Sequence, residues 1–200
     1  RTLEAIGWGG LYDAVDGGVF RYCTKRDWTK PSFEKVLDVN AAVLGLLLDG
    51  NHSGYRDRAV DLLRYVRETL IDRSDGGFFA SQRADEMYYG ATTKDARRAF
   101  SSPPVDQAVY ADGNALMAAS FVRAAAAFDD SSLLEFAVTS LEHVVLATYE
   151  RGGGIAHQAN GENSVRGLLV DQVWVSAALL DLYVATDRDV YLDRSQRFYY

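Results

Sequence analysis

The sequence predicts an all-α fold: a partial α/α toroid of about three helical hairpins, with long glycine-rich loops gathered at one mouth. Three observations carry this. Six helical stretches alternate between apolar on every face and amphipathic, connections within a pair are short, and connections between pairs are long and rich in glycine. A helix apolar all round is buried on all sides, whereas one with an apolar stripe meets water on its other face. Stacked hairpins with one helix of each kind suit a solenoid or closed helical toroid, and a four-helix bundle does not produce the alternation.

From Phe33 to Leu48 the apolar residues Val36, Leu37, Val39, Ala41, Ala42, Val43, Leu44, Leu46 and Leu47 cover every face, so this is an inner helix. From Tyr55 to Ile71, Ala59, Leu62, Leu63, Val66 and Leu70 recur at three- and four-residue steps among charged residues, the pattern of an outer helix. Asn114 to Phe128 is apolar apart from Arg123 and reads as inner. Leu133 to Tyr149 is amphipathic, with Glu135, Ser140, Glu142 and His143 expected outward. Leu168 to Ala185 is apolar again, and an amphipathic pattern restarts at Val190. The loops Asp49–Gly54 and Asp129–Ser131 are short, while the long ones carry Gly9-Gly10, Gly17-Gly18, Gly76-Gly77 and Gly152-Gly153-Gly154. The inner helices start at the mouth these long loops form, so their free N–H groups point into it.

Residues 1–200 read as a single domain. The chain starts at Arg1 without a methionine and stops at Tyr200 within a helical pattern, as expected of a piece of a longer protein. Half a toroid is expected to show apolar flanks, which further sequence or oligomerisation would cover.

With 48% apolar and 24% charged residues, 200 residues suffice for a sizeable core. The 21 Lys plus Arg against 28 Asp plus Glu give a net charge of -7 and no basic stripe, which argues against nucleic acid as a partner. No uninterrupted apolar run reaches the roughly 18 residues of a membrane span, and there is no signal pattern at the N-terminus, so no membrane is expected. The single Cys23 offers neither an internal disulfide nor Cys-x-x-Cys chemistry, consistent with a cytoplasmic setting.

Specific blocks carry a resemblance. They are Gly9-Gly10-Leu-Tyr-Asp13, Gly17-Gly18-Val-Phe-Arg21-Tyr22, Trp28, and Pro31 through Ala41 with Glu34, Lys35, Asp38 and Asn40. Gly76 through Gln82, Ala84-Asp85-Glu86, Tyr88-Tyr89, Val105-Asp106 to Tyr110, Asp112 to Ala115, and Asp171-Gln172 extend it over nearly the whole chain. This pattern resembles the C-terminal part of the thioredoxin-domain-containing, spermatogenesis-associated protein 20-like family. The resemblance implies a six-hairpin toroid related in fold to acylglucosamine 2-epimerases and six-hairpin glycosidases, and a thioredoxin-like domain upstream in the parent protein. Fold alone supplies no reaction. The chain departs from the family pattern where Phe-His-Arg-Tyr and Pro-His-Phe-Glu-Lys are usual, having Phe20 and Ser32 in place of the histidines. Val39 replaces an aspartate before the asparagine, and Gly113 a tryptophan before Asn114. These losses argue against a histidine-based mechanism at those positions.

Glu34, just before or within the first turn of an inner helix, and Asp38 one turn on form a candidate acid and base pair, or alternatively a capping group and an ion pair with Lys35 or a loop arginine. Asp112 with Asn114, and Asp171 with Gln172, occupy the starts of the other inner helices. They suit a polar ring around a cavity or, equally, N-caps. Glu34 and Asp171 are the candidate catalytic residues. Arg21, Tyr22, Trp28, Tyr12 and Trp8 offer flat rings and a guanidinium for a sugar, or rings that cover a toroid end. Asp13, Asn40, Gln82 and Asp85 complete the candidate binding set, with Ser81 and Tyr89 nearby. Among the histidines only His157 reaches the mouth, as a general base or as an idle solvated side chain. His52 falls in a far-side loop and His143 on an exposed face. No spacing assembles metal ligands, so neither metal nor cofactor is expected. Arg97, Arg98 and Pro103-Pro104 read as a mobile surface insertion without chemistry.

Two functions fit. One is a carbohydrate-processing site of isomerase, epimerase or hydrolase type, with a small sugar as partner. The other is a non-catalytic binding or assembly module.

Overall fold

A computed structural model describes residues 2–50, 53–161 and 164–197. Among these residues the fold is mainly helical, as the pattern predicts: α1 (Thr2–Trp8), α2 (Leu37–Asp49), α3 (Ser53–Tyr65), α4 (Glu86–Gly90), α5 (Lys94–Arg97), α6 (Ala111–Phe128), α7 (Ser131–Thr148), α8 (Leu169–Thr186) and α9 (Asp189–Gln196). A π-helical turn, Val66–Leu70, continues α3. Short strands that sequence periodicity does not reveal tie the loops. β1 (Lys35–Val36), β2 (Ser81–Gln82) and β3 (Val105–Asp106) form an antiparallel sheet in that order, and β4 (Tyr149–Glu150) pairs antiparallel with β5 (Gly154–Ile155).

The chain divides into two compact units, Arg1–Ile71 with Ala80–Asp106, and Asp72–Phe79 with Gln107–Tyr200. In the first unit, α2 buries Leu37, Ala41, Leu44 and Leu47, while α3 and its π turn bury Ala59, Leu62, Val66 and Leu70. The inner helix begins at Leu37 and not at Phe33. β1 takes Lys35 and Val36 into the ladder with β2, and Leu37 N–H donates to the Ala80 carbonyl.

In the second unit α6 packs against both α7 and α8, and α8 against α9. Asp129 and Asp187 close α6 and α8 in the left-handed conformation, each at φ 55°, and Asp130 caps α7 by accepting from Ser132 N–H. Ser140, expected outward, is buried. α8 is long and apolar enough to pass as a membrane span by length and composition, although it carries Asp171, Gln172 and Asp181. Its exposed Leu169, Val173, Leu180 and Val184 recur at helical spacing along one face.

One local device occurs three times and sets where the sites lie. The Asn40 side chain accepts from Val19 N–H at 2.8 Å and donates to the Val19 and Val36 carbonyls at 3.0 and 2.8 Å. Asn114 does the same to Phe78 N–H at 2.7 Å and to the Phe78 and Tyr110 carbonyls. Gln172 repeats it with Ile155 and Leu168, at longer distances of 3.0 to 3.4 Å. Each amide stands in the first turn of an inner helix and clamps the residue that follows a glycine pair. The glycines Gly17, Gly18, Gly76, Gly77 and Gly154 lie at positive φ, where a side chain is strained. A backbone N–H and C=O that would otherwise be orphaned are thereby satisfied, and each glycine loop is pinned to the start of its helix.

Candidate functional site

The first unit holds a buried charge cluster built on the loop before α2. Lys35, wholly buried, donates to Asp13 Oδ2 and to the Gly17 carbonyl, both at 2.7 Å. Its Nζ lies over the Tyr65, Tyr89 and Phe20 rings at 4.2, 5.0 and 5.4 Å. Arg97 donates to both oxygens of Asp13 and also to Asp16. Burial alone would push the Asp13 carboxyl up, but the Arg97 hydrogen bonds and the Lys35 charge more than offset it and hold it low. Burial pulls the Lys35 ammonium down to about 8, with Asp13 opposing. Arg97 is therefore no part of a loose insertion. It is buried, and its segment is anchored again by Gln82, which donates to Ser102 and Pro103 and accepts from the Tyr65 and Tyr89 hydroxyls. Sequence patterning missed this cluster because long-range ion pairs leave no periodic trace.

The other predicted residues of this unit are mostly in structural use. Glu34 lies before β1, not in a helical turn, and its Oε2 accepts from Arg21 Nη1 at 2.9 Å. Asp38 is exposed in the first turn of α2. Asp85 caps α4 by accepting from Met87 and Tyr88 N–H. Tyr12 is buried under Arg58, and burial lifts its hydroxyl to about 12. Trp8 shares that Arg58 and belongs to α1. Tyr22 is half exposed, and Trp28 holds a positive φ of 62° beside Gly9 and Gly10. Phe20, where the family pattern has histidine, packs edge-on against Phe33 and Tyr89.

In the second unit three candidates converge. Asp171, the third residue of α8, is wholly buried and accepts from, or shares a proton with, His157 Nδ1 at 3.0 Å from Oδ1 and 3.2 Å from Oδ2. His157 follows β5, and its backbone is held on both sides: its N–H donates to Val165, and its carbonyl accepts from Ala111. Its ring stacks on Tyr110, centroids 4.9 Å apart and planes 27° from parallel. Asp112 stands in the first turn of α6, and its backbone N–H donates to Asp171. Burial raises the Asp171 carboxyl and the Asp112 charge adds to the rise, against the pull of His157. One ligand atom of each of Asp112, His157 and Asp171 lies within 4.8 Å of the others.

This arrangement corrects three expectations. His157 is not a lone solvated side chain, since it is bonded to Asp171 and stacked on Tyr110. Asp112 and Asp171 do not cap their helices, whose N-cap residues are Tyr110 and Leu168. Convergent ligand atoms do exist, although no local spacing foretold them. The signal available in the sequence was the repeat itself: Gly153-Gly154-Ile155-Ala156-His157 aligns with Gly17-Gly18-Val19-Phe20-Arg21, which puts His157 beside the helix its loop is clamped to. Asn40, Asn114 and Gln172 spend their amides on the backbone clamps. His143 is half-buried beside Gly77, and His52 lies outside the described residues.

No family model matches the chain. Curated relatives are spermatogenesis-associated protein 20 of Mus musculus, 34% identical over 122 residues, and of Homo sapiens, 33% identical over 119 residues. Each match covers 52% of this chain and 15% of the relative, so the chain spans only a small part of their length. Solved structures share its fold. Cellobiose 2-epimerase from Spirochaeta thermophila superposes with a TM-score of 0.75 at 16% identity, over 98% of this chain and 51% of that one. A D-mannose isomerase gives 0.75 at 16% identity, over 98% and 47%. A family 8 endoglucanase from Klebsiella pneumoniae gives 0.68 at 15% identity, over 99% and 56%. The fold is that of α/α toroid enzymes, of which this chain matches about half.

Proposed function

We propose that this chain supplies part of a carbohydrate-processing site whose proton-transfer group is the His157–Asp171 pair, acting on a reducing sugar by isomerisation or epimerisation. The observation that supports this reading is the buried carboxylate of Asp171 against His157 Nδ1. Such a partner favours the tautomer with the proton on Nδ1 and leaves Nε2 as the base. The imidazole is about one-third exposed and can be reached by a ligand. The N-termini of α6 and α8 add positive potential that favours the negative charge developing when a carbon next to a carbonyl loses its proton.

The test is exchange of solvent deuterium into C2 of mannose, glucose and cellobiose, followed by proton NMR. Exchange by the protein that is lost in His157→Gln and reduced in Asp171→Asn supports the reading. Exchange that persists unchanged in both variants, or no exchange with any sugar, refutes it.

A second reading, a non-catalytic binding module, draws support from Phe20, whose ring fills the place of a family histidine within an aromatic cluster. Under that reading, Phe20→His with Ser32→His creates no turnover.

A further inference from the structure

The Asp112–His157–Asp171 cluster brings two carboxylates and an imidazole from three separate segments together. Two carboxylates face each other within 4.8 Å, one of them wholly buried, and among the described residues neither pairs with a lysine or arginine. The His157 imidazole, in contact with Asp171, is a neighbour able to carry positive charge. Like charges at this distance repel unless a proton or a cation lies between them, and a divalent cation can satisfy both carboxylates at once.

We propose that these three residues form a binding site for a divalent first-row transition metal ion, with one oxygen from Asp112, one imidazole nitrogen from His157 and one oxygen from Asp171. The geometry suits it, because the three ligand atoms come from three separate segments and already converge within a span that a single ion can bridge with bonds of roughly 2.0 to 2.2 Å. Two carboxylates cancel the charge of a divalent ion. The mixed nitrogen and oxygen set favours manganese, iron, cobalt or zinc over calcium or magnesium, which take oxygen ligands. Three protein ligands leave open coordination positions, the mark of a site that accepts water or adjacent hydroxyls and not of a closed structural site. The supporting shell is present as well: Tyr110 stacks on the ligating ring, the His157 backbone is bonded on both sides, and Asp112 N–H donates to Asp171. The ion and the proton shared by His157 and Asp171 compete for the same atoms, so metal-bound and proton-transferring forms exclude one another.

The experiment is titration of the metal-free protein with Co2+, read as visible d–d absorption, followed by displacement with Zn2+. The expected result is a one-to-one cobalt spectrum, with affinity weakened in Asp112→Asn and in His157→Gln by at least the roughly 10- to 100-fold that loss of a supporting contact costs. Glu135→Gln, on the exposed face of α7, should bind as the parent does. Far-UV circular dichroism verifies that each variant is folded. Absence of a cobalt spectrum, or a spectrum unchanged in the two ligand variants, overturns the proposal. Because the readout needs no sugar, this result is independent of the deuterium-exchange test.

Discussion

Arg97 grips Asp13 through both terminal nitrogens, Nη1 to Oδ2 at 2.7 Å and Nη2 to Oδ1 at 2.8 Å, across 84 positions of sequence. The fork satisfies both carboxylate oxygens at once, which a lysine cannot do. Arg97→Ala leaves Asp13 buried with Lys35 as its remaining cation and is expected to cost about 3–5 kcal/mol in urea denaturation. Arg97→Lys should recover only part of that. Lys35→Met keeps the volume and leaves the fork on Asp13 intact, so it should cost only about 1–2 kcal/mol. A Lys35→Met variant as unstable as Arg97→Ala would show that the lysine, not the fork, holds the carboxylate.

The same cluster gives a pH dependence with a definite sign. Burial lowers Lys35 from 10.5 to about 8 in the folded state. Between those two values the unfolded chain holds a proton that the folded chain has released, so the Lys35 contribution to stability rises with pH across that window. Asp13 is shifted downward as well, in a separate and acidic window. Its carboxyl is held below the ordinary 3.8, so its contribution is present above that value and is lost as pH falls through the folded value. Stability curves measured at alkaline pH for the parent and Lys35→Met should diverge above about pH 8. Parallel curves would exclude Lys35 as the titrating group.

The three amide clamps predict a graded loss. Asn40→Ala and Asn114→Ala each strand a buried backbone N–H and C=O and should cost about 1–3 kcal/mol. Gln172 is only half-buried and its bonds are longer, so Gln172→Ala should fall at or below the lower end of that range. Equal losses in all three would mean that the clamps do not act through desolvated backbone groups.

How far the sequence reached follows from the range of each interaction. Hairpin order was legible because burial repeats every three to four residues, so Leu62, Val66 and Leu70 announce an outer helix without reference to anything distant. The start of α2 was misread because Lys35 and Val36 are drawn into a ladder by residues 81 and 82, which no local pattern contains. Asp171 was legible as a candidate through its place at a helix start. Its partner was not, since 14 residues and a loop separate it from His157. Arg97 looked like surface charge because only the fold brings Asp13 to it. Asn114 and Gln172 were recognised as recurrent and Asn40 only as a separate candidate, and recurrence by itself does not separate a ring of sugar ligands from a thrice-used backbone clamp.

The glycine loops allow strain and crowding to be separated. Gly18 and Gly152 both sit in the left-handed region, at φ 75° and 79°. A Cβ on Gly152 would meet nothing within 4 Å, so Gly152→Ala should cost only the conformational penalty of about 1–2 kcal/mol. A Cβ on Gly18 would stand 2.5 Å from the Tyr65 ring. That ring cannot retreat, being wholly buried, bonded through its hydroxyl to Gln82 and covered by Lys35 at 4.2 Å. Gly18→Ala should therefore lose a further amount of about 1–3 kcal/mol from overpacking. The excess belongs to the Gly18–Tyr65 contact, so introducing Gly18→Ala into a Tyr65→Ala background should cost no more than Gly152→Ala does. If the excess survives without the ring, the glycine is required for backbone conformation alone, and the close approach of Tyr65 to the loop is incidental.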